Sequence, residues 1–356
     1  MIRNWHIRPY RNGDEKQILK LRRAVFGDLD PVRLRQSTWQ WQFKDNPSGK
    51  AVCFLAESKG QIVGQYVTIP TRFVTHGKDT LLAFSCDTMI HPGYRRQGMF
   101  SALAREVYGS LKTLSGITLV WGFPNDQSLP GFVEKLDWQM LPALPLMVLP
   151  INPLNMILHS VPLLNGLGKN LPGSMGPDTD VSFSTGVQGL RVDPVEHFDE
   201  AFDLLWQEHS TMAPVMQVRD SRYLEWRYLS IPEFNYRPFT VRRDGHLLGY
   251  MVIRMMVLKG QTFGVLVDLF PFPLASFSVL QGVFSFAKQF VKAHGGDFVT
   301  CLLPREQAGI LKKAGFKRVP EVINPKTWRL GYRCAGDGLS GNLDYWHVTY
   351  GDTDVV

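Results

Sequence analysis

A short basic loop between two apolar stretches is the part of this sequence best suited to chemistry. Within Leu82–Leu103 the pattern is that of a strand, a tight loop and the start of a helix. The loop carries Arg95, Arg96 and Gly98. A loop at such a junction directs several backbone N–H groups and the positive end of the helix dipole to one spot. Because glycine has no Cβ, Gly98 would let a phosphate approach the backbone closely. We therefore predict an anion site suited to a pyrophosphate.

The helix after this loop is predicted by the spacing of its apolar residues. They recur at i, i+3, i+7, i+11 and i+14, which places them on one helix face: Phe100, Leu103, Val107, Leu111 and Leu114. We expect the helix to end near Ser115–Gly116. A helix that buries this face holds the basic loop at its N-terminal end.

The chain contains one pattern twice, at an offset of 185 residues. The coincident identities are Trp41 with Trp226, Pro47 with Pro232, Phe54 with Phe239, Gly60 with Gly245, and Gly64 with Gly249. Each copy begins with the pattern of a strand, two helices and a hairpin, and the second hairpin turn contains Asp244-Gly245, a strong hairpin signal. We interpret the chain as two copies of one domain.

The basic loop resembles that of a known family. The segment Arg95–Phe100 resembles the Gln/Arg-x-x-Gly-x-Gly/Ala acyl-CoA loop of the GNAT superfamily of N-acetyltransferases. Further along, Asn125 and Glu134–Trp138 resemble the family's later Asn and its E-K-x-G-F segment, and in the family this Asn faces the pantetheine region of the coenzyme. The resemblance extends over most of the first copy. It implies an α/β fold with α+β-like mixed sheets: two tandem GNAT-like domains, each a mostly antiparallel twisted sheet flanked by helices.

The resemblance also implies an activity and a set of binding residues. The expected activity is acyl-CoA-dependent N-acyl transfer, with acetyl-CoA as cosubstrate, to a primary amine that attacks the thioester directly. The implied coenzyme-binding residues are Met89, Ile90, His91, Arg95, Arg96, Gln97, Gly98, Met99, Phe100, Ser101 and Asn125. The backbone N–H groups near Met89 and Ile90 would stabilise the thioester oxygen if this strand bulges open as in the family. No metal ion is expected.

Two departures from the family pattern concern the backbone. Asp137-Trp138 replaces the usual Gly-Phe, which keeps an aromatic residue and loses the glycine. Phe100 stands where the family usually has Gly or Ala. Both changes are expected to reshape the local backbone without removing its hydrogen-bond donors.

A third departure concerns the proton for the leaving thiolate. The tyrosine that supplies it in many family members should align near Phe132 or Val133, and neither side chain can donate a proton. Tyr94, Tyr108 and water are the alternative donors. The missing tyrosine also motivates an alternative function, a non-catalytic acyl-CoA-binding sensor or scaffold.

Asp87 is the candidate base that removes the proton of the attacking amine. Strand alternation places it on the face of Ser85 and Met89, in the strand that leads to the coenzyme loop. A structural carboxylate bonded to a neighbouring loop is an equal alternative. His91 is a second candidate base, but we favour its interpretation as a hydrogen-bonded loop histidine. Cys86 is expected to be a buried thiol rather than a nucleophile.

The second copy is predicted to bind no coenzyme. Its strand Thr262–Phe270 passes into a helix through Pro271–Leu274, where two prolines lack the N–H donors that a phosphate loop needs. No Lys or Arg occurs between Gly260 and Ala287. The segment Lys312–Phe316 still resembles the family's K-x-G-F ending, so we expect a retained fold with a degenerate coenzyme site.

These observations predict three segments. Residues 1–145 form the acyl-CoA-binding domain, residues 146–188 a Leu- and Pro-rich linker, and residues 189–356 the degenerate domain. The apolar stretch Leu141–Leu167 is broken by five prolines, so no transmembrane helix is expected.

Composition excludes several other classes of protein. With 39 Lys+Arg and 32 Asp+Glu the net charge of +7 is mild, and no strand alternates aromatic and basic residues, so nucleic acid is not an expected partner. The four cysteines form no C-x-x-C pair, which argues against a zinc site or a disulfide framework. The first residues lack a secretory pattern, which favours a cytoplasmic protein. The expected partner is a small-molecule or polymer amine, and the oligomeric state stays open.

Overall fold

A computed structural model describes residues 4–28, 30–160, 183–258, 260–303, 307–320, 327–334 and 345–353. Most of the predicted linker, residues 161–182, lies outside the described residues. Elements are numbered along the chain. The chain divides into two compact units, each built from more than one segment: Met1–Ala143, Pro214–Val218 and Thr327–Tyr345 for the first, and Leu144–Ala213, Arg219–Lys326 and Trp346–Val356 for the second.

The first unit is one mixed sheet with helices. Its strands are β1 (His6–Pro9), β2 (Val52–Ser58), β3 (Gln61–Thr75), β4 (Lys78–Ile90), β5 (Leu119–Gly122), β6 (Gln139–Met140), β9 (Val215–Gln217) and β15 (Gly331–Cys334). Its helices are α1 (Glu15–Phe26), α2 (Gln36–Phe43), α3 (Met99–Ser115) and α4 (Leu129–Leu136). The strand order is β1-β2-β3-β4-β5-β15-β6, with β9 beside β3. Only β4 and β5 run parallel among these pairs.

The second unit repeats this arrangement. Its strands are β7 (Leu146–Pro150), β8 (Leu190–Pro194), β10 (Tyr236–Arg243), β11 (His246–Leu258), β12 (Gln261–Phe270), β13 (Phe298–Leu302), β14 (Lys317–Arg318) and β16 (Trp346–His347). Its helices are α5 (Pro153–Ser160), α6 (Glu200–His209), α7 (Ser221–Leu224), α8 (Phe277–Ala293) and α9 (Ala308–Lys313). The sheet order is β14-β7-β13-β12-β11-β10-β8, in which β12 and β13 are the parallel pair. The predicted fold class, two mostly antiparallel mixed sheets flanked by helices, is confirmed.

Each sheet contains at least one strand from the other half of the chain. Strand β7, inside the predicted linker, lies between β13 and β14, and β15 from the C-terminal segment lies between β5 and β6. Residues 146–150 are therefore a strand of the second sheet, and the units are not the contiguous segments that the sequence predicts. The run Leu146–Leu149 is apolar without interruption because a central strand is buried on both faces.

The hairpins of the two units share their register. Phe54 lies opposite Tyr66 in β2–β3, and Phe239 lies opposite Met251 in β10–β11, which is the same pair shifted by 185 residues. The first hairpin bulges between residues 56 and 57, and the second between residues 241 and 242. The repeated sequence pattern therefore coincides with a repeated local geometry.

Two of the repeated glycines let the strand-to-helix connection approach the hairpin. A Cβ on Gly64 would lie 2.6 Å from the sulfur of Met99, the first residue of α3. A Cβ on Gly249 would lie 2.6 Å from a methyl carbon of Leu274, which precedes α8. The backbone carbonyl oxygen of Phe270 is equally close to the Cβ position of Gly249, so a glycine is required there, whereas the close atom at Gly64 belongs to a flexible side chain.

Helix α3 agrees with the sequence prediction. It runs from Met99 to Ser115 and ends at Gly116, whose φ of 64° is the left-handed conformation typical of a helix C-terminus. Its buried side chains, with those of β2, β3 and α4, form the core of the first unit: Ala56, Val63, Tyr66, Met99, Leu103, Val107, Leu111, Phe132 and Leu136. This core fixes the start of α3 against the sheet.

A buried charge network stabilises the second unit. The guanidinium of Arg219 lies 3.2 Å from Asp268 and 2.8 Å from Asp352. Tyr228 and Tyr250 each donate a hydroxyl hydrogen bond to Asp268, at 3.0 and 2.9 Å. Although burial disfavours the charged carboxyl, the guanidinium of Arg219 keeps the pKa of Asp268 below its ordinary value. Each buried charge in the network therefore depends on its partners.

Asp268→Asn is expected to destabilise the second unit by roughly 3–5 kcal/mol, because it leaves the buried guanidinium of Arg219 undercompensated. Asp28→Asn is the matched control: Asp28 pairs with Arg23 at 2.7 Å with side chains 72% and 65% exposed, and its loss should cost less than about 1 kcal/mol. Hydrogen exchange of the amides of α8 and β12 measures the loss in the second unit, and that of the amides of α1 measures the control in the first unit. Equal protection in the two variants would contradict the assignment.

Candidate functional site

Strands β4 and β5 separate halfway along β4. Their pairing covers Ala83–Ser85 and Val120–Gly122, and β5 ends there. Strand β4 continues to Ile90, so from Cys86 onward its edge toward β5 has no strand partner in the part of the chain that the structure describes. Unpaired backbone N–H and C=O groups on such an edge can bind an extended ligand with amides of its own.

A bulge lies in the unpaired part of β4. Val67 of β3 pairs with Cys86, whereas Gln65 pairs with Met89, so β4 contains one extra residue there. Asp87 lies in this bulge with a φ of 45°. Its carbonyl oxygen accepts a 2.9 Å hydrogen bond from the side-chain amide of Gln65. The opening of β4 near Met89 and Ile90, which the resemblance implies, is therefore present in the backbone.

Asp87 faces α1. Its carboxylate accepts a charge-assisted hydrogen bond from Arg22, and both side chains are 10% exposed. Ser85 instead donates to the hydroxyl of Tyr66, in the core below α3. The prediction that Asp87 shares a face with Ser85 is wrong, because the bulge interrupts the alternation on which that prediction depends.

The bulge also determines where the N–H groups of β4 point. Successive N–H groups of a strand point to opposite edges, so one of Met89 and Ile90 directs its N–H away from β3. That edge of β4 is the unpaired one. Met89 is 1% exposed and Ile90 is half-buried, so this donor lies at a partly enclosed position.

The loop from His91 to Gly98 has the geometry of an anion site. Arg96 and Gly98 adopt left-handed conformations, with φ of 61° and 74°. A Cβ built on Gly98 has no atom within 4 Å, so a side chain there would point into the open space in front of the loop. Arg95, Arg96 and Gln97 are exposed around it.

The first turn of α3 keeps free donors. Gly98 has no side chain with which to cap the helix, and the first helical hydrogen bond is donated by Ala102. The N–H groups of Met99, Phe100 and Ser101 therefore precede the helical ladder and are oriented toward an anion. With the basic loop, these groups fit a pyrophosphate.

The corresponding junction of the second unit differs in both respects. Ser276 caps α8 by accepting a 3.3 Å hydrogen bond from the N–H of Val279. Phe272 and Leu274 in the preceding connection are each 2% exposed and belong to the core. Side chains of the protein itself occupy the space that a phosphate would need.

Three predicted site residues make local contacts of their own. His91 accepts a hydrogen bond from the N–H of Gly93 through Nδ1, at 3.2 Å. Arg95 donates to the carbonyl of Ile90 at 3.4 Å. Asn125 accepts from the N–H of Ser128 through its side chain, at 2.9 Å, in the turn before α4. His91 is thus the hydrogen-bonded loop histidine that the sequence offered as an alternative.

The departures from the family pattern are accommodated by packing. Phe100 packs edge-on against Phe132 of α4, with ring centres 5.1 Å apart, and a Cβ on Gly131 would lie 3.2 Å from its ring. Asp137 ends α4 in the left-handed conformation, with a φ of 57°, which Asp tolerates better than most residues. Trp138 is 3% exposed and packs against Phe132 at 4.6 Å.

A chain of hydroxyl groups runs beside the position of the missing tyrosine. Ser85 lies 3.1 Å from the hydroxyl of Tyr66, which lies 2.8 Å from that of Tyr108. Trp138 donates its indole N–H to Tyr108 at 2.9 Å. The Tyr66 ring lies 6.4 Å from that of Phe132, between ring centres. Burial raises the pKa of both tyrosines, so both hydroxyls are protonated at neutral pH.

Sequence reasoning identified only part of this chain of hydroxyl groups. It named Tyr108 as an alternative donor but missed Tyr66, and it named Tyr94, whose hydroxyl instead donates to Ser58 at 3.2 Å. It also missed Arg22, the partner of Asp87. Tyr66 and Tyr108 are 42 residues apart, and no local pattern marks such a contact.

Cys86 is 4% exposed and lies 3.6 Å from the amide nitrogen of Gln42, consistent with a buried thiol. Within the described ranges, no group of three or more His, Cys, Asp or Glu side chains could hold a metal ion. None of the described helices is long and apolar enough to cross a membrane.

A family model matches the first part of the chain, and solved structures share the fold. Residues 6–141 match the family described as Acetyltransferase (GNAT) domain. No curated protein is significantly similar in sequence.

Solved structures share the fold over nearly the whole chain. A GCN5-related N-acetyltransferase from Anabaena variabilis is 13% identical with a TM-score of 0.61, and the match covers 93% of this chain and 73% of that one. N-myristoyltransferase from Saccharomyces cerevisiae, solved with bound myristoyl-CoA, is 13% identical with a TM-score of 0.62, and the match covers 98% and 83%. A probable N-acyltransferase from Enterococcus faecalis is 10% identical with a TM-score of 0.62, covering 93% and 73%. At these identities the likeness concerns the fold.

Proposed function

We propose, on the premise that residues 6–141 form a GNAT acetyltransferase domain, that the protein is an N-acyltransferase that transfers an acetyl group from acetyl-CoA to a primary amine. The observation that carries the proposal is the unpaired edge of β4 beside the uncapped start of α3. The edge suits the amide-bearing pantetheine arm, and the loop with the first turn of α3 suits the pyrophosphate. The coenzyme-binding set predicted from the sequence, with Gly98 at its centre, is retained in this proposal.

The reaction requires two proton movements. The amine nitrogen bonds to the thioester carbon while the carbon–sulfur bond breaks, so the amine must lose a proton and the thiolate must gain one. An outward N–H near Met89 or Ile90 would stabilise the negative charge on the thioester oxygen. We assign the amine proton to Asp87, whose carboxylate is oriented by Arg22.

We assign the thiolate proton to the hydroxyl chain. Hydroxyl groups rotate, so the chain can run from Tyr108 through Tyr66 to Ser85, which then donates to the thiolate. Each hydroxyl passes one proton to the next and the charge ends on the Tyr108 oxygen. There the indole N–H of Trp138 donates to it, and the guanidinium carbon of Arg333 lies 5.0 Å from the ring centre. The chain would replace the tyrosine that Phe132 cannot supply.

A second candidate function is acyl-CoA binding without turnover. The observation that favours it is Phe132, a buried apolar side chain at the position from which many family members protonate the thiolate. The two functions differ in product formation and agree on coenzyme binding. In both, the second unit binds no coenzyme, since Ser276 caps α8 and the preceding connection is packed into the core.

Gly98→Glu is expected to abolish acetyl-CoA binding, because a carboxylate would occupy the phosphate position. Acetyl-CoA at about 100 times its Kd should stabilise the wild type by roughly 2.7 kcal/mol, measured as a rise in melting temperature. Gly116→Glu is the matched control, since Gly116 ends the same helix with a φ of 64° and open space around its Cβ position. Both variants carry a similar backbone strain, so only the first should lose the shift. Loss in both, or no wild-type shift, would contradict the proposal.

Asp87→Asn is expected to lower kcat/KM for the amine by about 10²- to 10⁴-fold with acetyl-CoA binding retained, because the amide cannot accept the proton. Arg22→Gln is the comparison variant, since it removes the ion pair but keeps the carboxylate. Asp87→Asn activity equal to wild type would show a structural carboxylate instead.

Tyr108→Phe is expected to lower kcat by about 10²-fold at unchanged KM for acetyl-CoA, because it removes the proton source of the chain. Tyr94→Phe, whose hydroxyl contacts Ser58, should change kcat less than about twofold, which is the range expected of a residue outside the proton route. The Tyr108→Phe defect should shrink with an acetyl thioester of a more acidic thiol, which leaves without protonation. A defect independent of the leaving thiol would remove the chain from the mechanism.

A further inference from the structure

A cavity in the first unit, apart from the coenzyme site, has a composition that indicates a ligand. It has a volume of about 400 Å³ and lies between α2, the loop before α1 and the strands β2 and β3. Its size is within the range of small-molecule sites. The residues on which the argument depends are Tyr10, Trp39, Phe43, Lys44, Lys50 and Gln65.

The wall of the cavity is aromatic. The Trp39 ring lies 5.3 Å from the Tyr10 ring and 5.3 Å from the Phe43 ring, between centres. Trp39 and Phe43 are 6% and 4% exposed, so the wall is held by packing rather than by solvent-exposed side chains. Rings fixed in this way favour a flat or elongated apolar body.

The mouth of the cavity is cationic. Lys44 and Lys50 line it, and within the described ranges no carboxylate does. The ammonium of Lys44 lies 2.8 Å from Glu15, and 5.5 Å from the centre of the Trp39 ring. Burial disfavours charge on Glu15, but hydrogen bonds from Lys44 and Tyr10 lower its pKa to about 2. Lys44 is thus held in place as the charged partner of Glu15, and the exposed Lys50 carries the excess positive charge at the mouth.

The inner end of the cavity adjoins the bulge of β4. Gln65, which lines it, is 1% exposed and donates its 2.9 Å hydrogen bond to the carbonyl of Asp87. Exposure therefore falls from the lysines at the mouth to Gln65 at the inner end. A molecule in this cavity would have one end at the lysines and the other at Gln65, whose amide contacts the backbone carbonyl of the proposed base.

We infer that this cavity binds the amine acceptor, and that the acceptor is an elongated apolar or aromatic amine with an acid group at the end opposite to the amine. The acid would contact Lys44 and Lys50, the body would lie along Trp39, and the amine would reach Asp87. This inference rests on the proposed function. It disfavours polycationic acceptors, because the two lysines repel a second ammonium group.

The probes are three compounds of similar shape. 4-(Aminomethyl)benzoate carries a carboxylate and an amine. 4-Methylbenzoate carries only the carboxylate, and 4-methylbenzylamine carries only the amine. We expect calorimetry with the full chain to show both acids binding about tenfold more tightly than the benzylamine. Lys50→Gln should remove this preference, and Trp39→Leu should weaken all three compounds. Lys20→Gln, an exposed lysine of α1, is the matched control and should change none.

Turnover tests the acceptor role. With acetyl-CoA, 4-(aminomethyl)benzoate should be acetylated with a kcat/KM about tenfold above that of 4-methylbenzylamine, and Lys50→Gln should remove the difference. If acetyl-CoA shifts the melting temperature but no acid binds, the inference fails and the proposed function stands. Binding that depends on Lys50 and Trp39 without acetylation would overturn the acceptor role. Equal binding of acid and amine probes would overturn the assigned chemistry of the cavity.

Discussion

The first unit depends on the separation of β4 from β5. The last paired residue of β5 is Gly122, where a Cβ would lie 2.8 Å from the carbonyl oxygen of Ser85, and beyond that point only β4 continues. The bulge at Asp87 follows directly and changes the direction of the unpaired edge of β4. Helix α3 starts beside this edge, with N–H groups that precede its hydrogen-bond ladder. Each feature alone is common in proteins. Their coincidence within one strand-to-helix connection produces a place for an amide-bearing anion.

The second unit has the same framework but lacks the anion-binding features of the first. Gln65 pairs with Met89 and Tyr250 with Phe270, so Asp87 and Asp268 occupy equivalent positions two residues before the paired one. Both contact an arginine, but Asp268 is 1% exposed and surrounded by tyrosine hydroxyls. A carboxylate enclosed in this way contributes to stability, whereas Asp87 lies beside an open edge. The bulges also differ, because Asp268 pairs with Val252 in the ladder whereas Asp87 is unpaired, with a φ of 45°.

Charge and packing divide the first unit into two environments on either side of its sheet. Below α3, the hydroxyl chain of Ser85, Tyr66 and Tyr108 is neutral, because burial keeps the phenols protonated. Toward α1 and α2, charged pairs dominate, with Arg22 on Asp87 and Lys44 on Glu15. Such a division suits a reaction that must remove one proton and supply another, because the carboxylates that accept protons lie on one side of the sheet and the hydroxyls that donate them lie on the other.

The sequence by itself determined the features that depend on neighbouring residues. The basic loop, the bounds of α3 and the hairpins follow from Gly98, Gly116 and the apolar periodicity, because turn conformation and amphipathic spacing are local properties. Only the tertiary structure decided the exchange of β7 and β15, the pairing of Asp87 with Arg22, and the hydroxyl chain. These contacts join residues between 19 and more than 60 positions apart, and which partners meet depends on strand order and on a bulge that reverses side-chain direction. Local patterns do not specify that order, so the sequence located the basic loop, and folding assembled the groups around it.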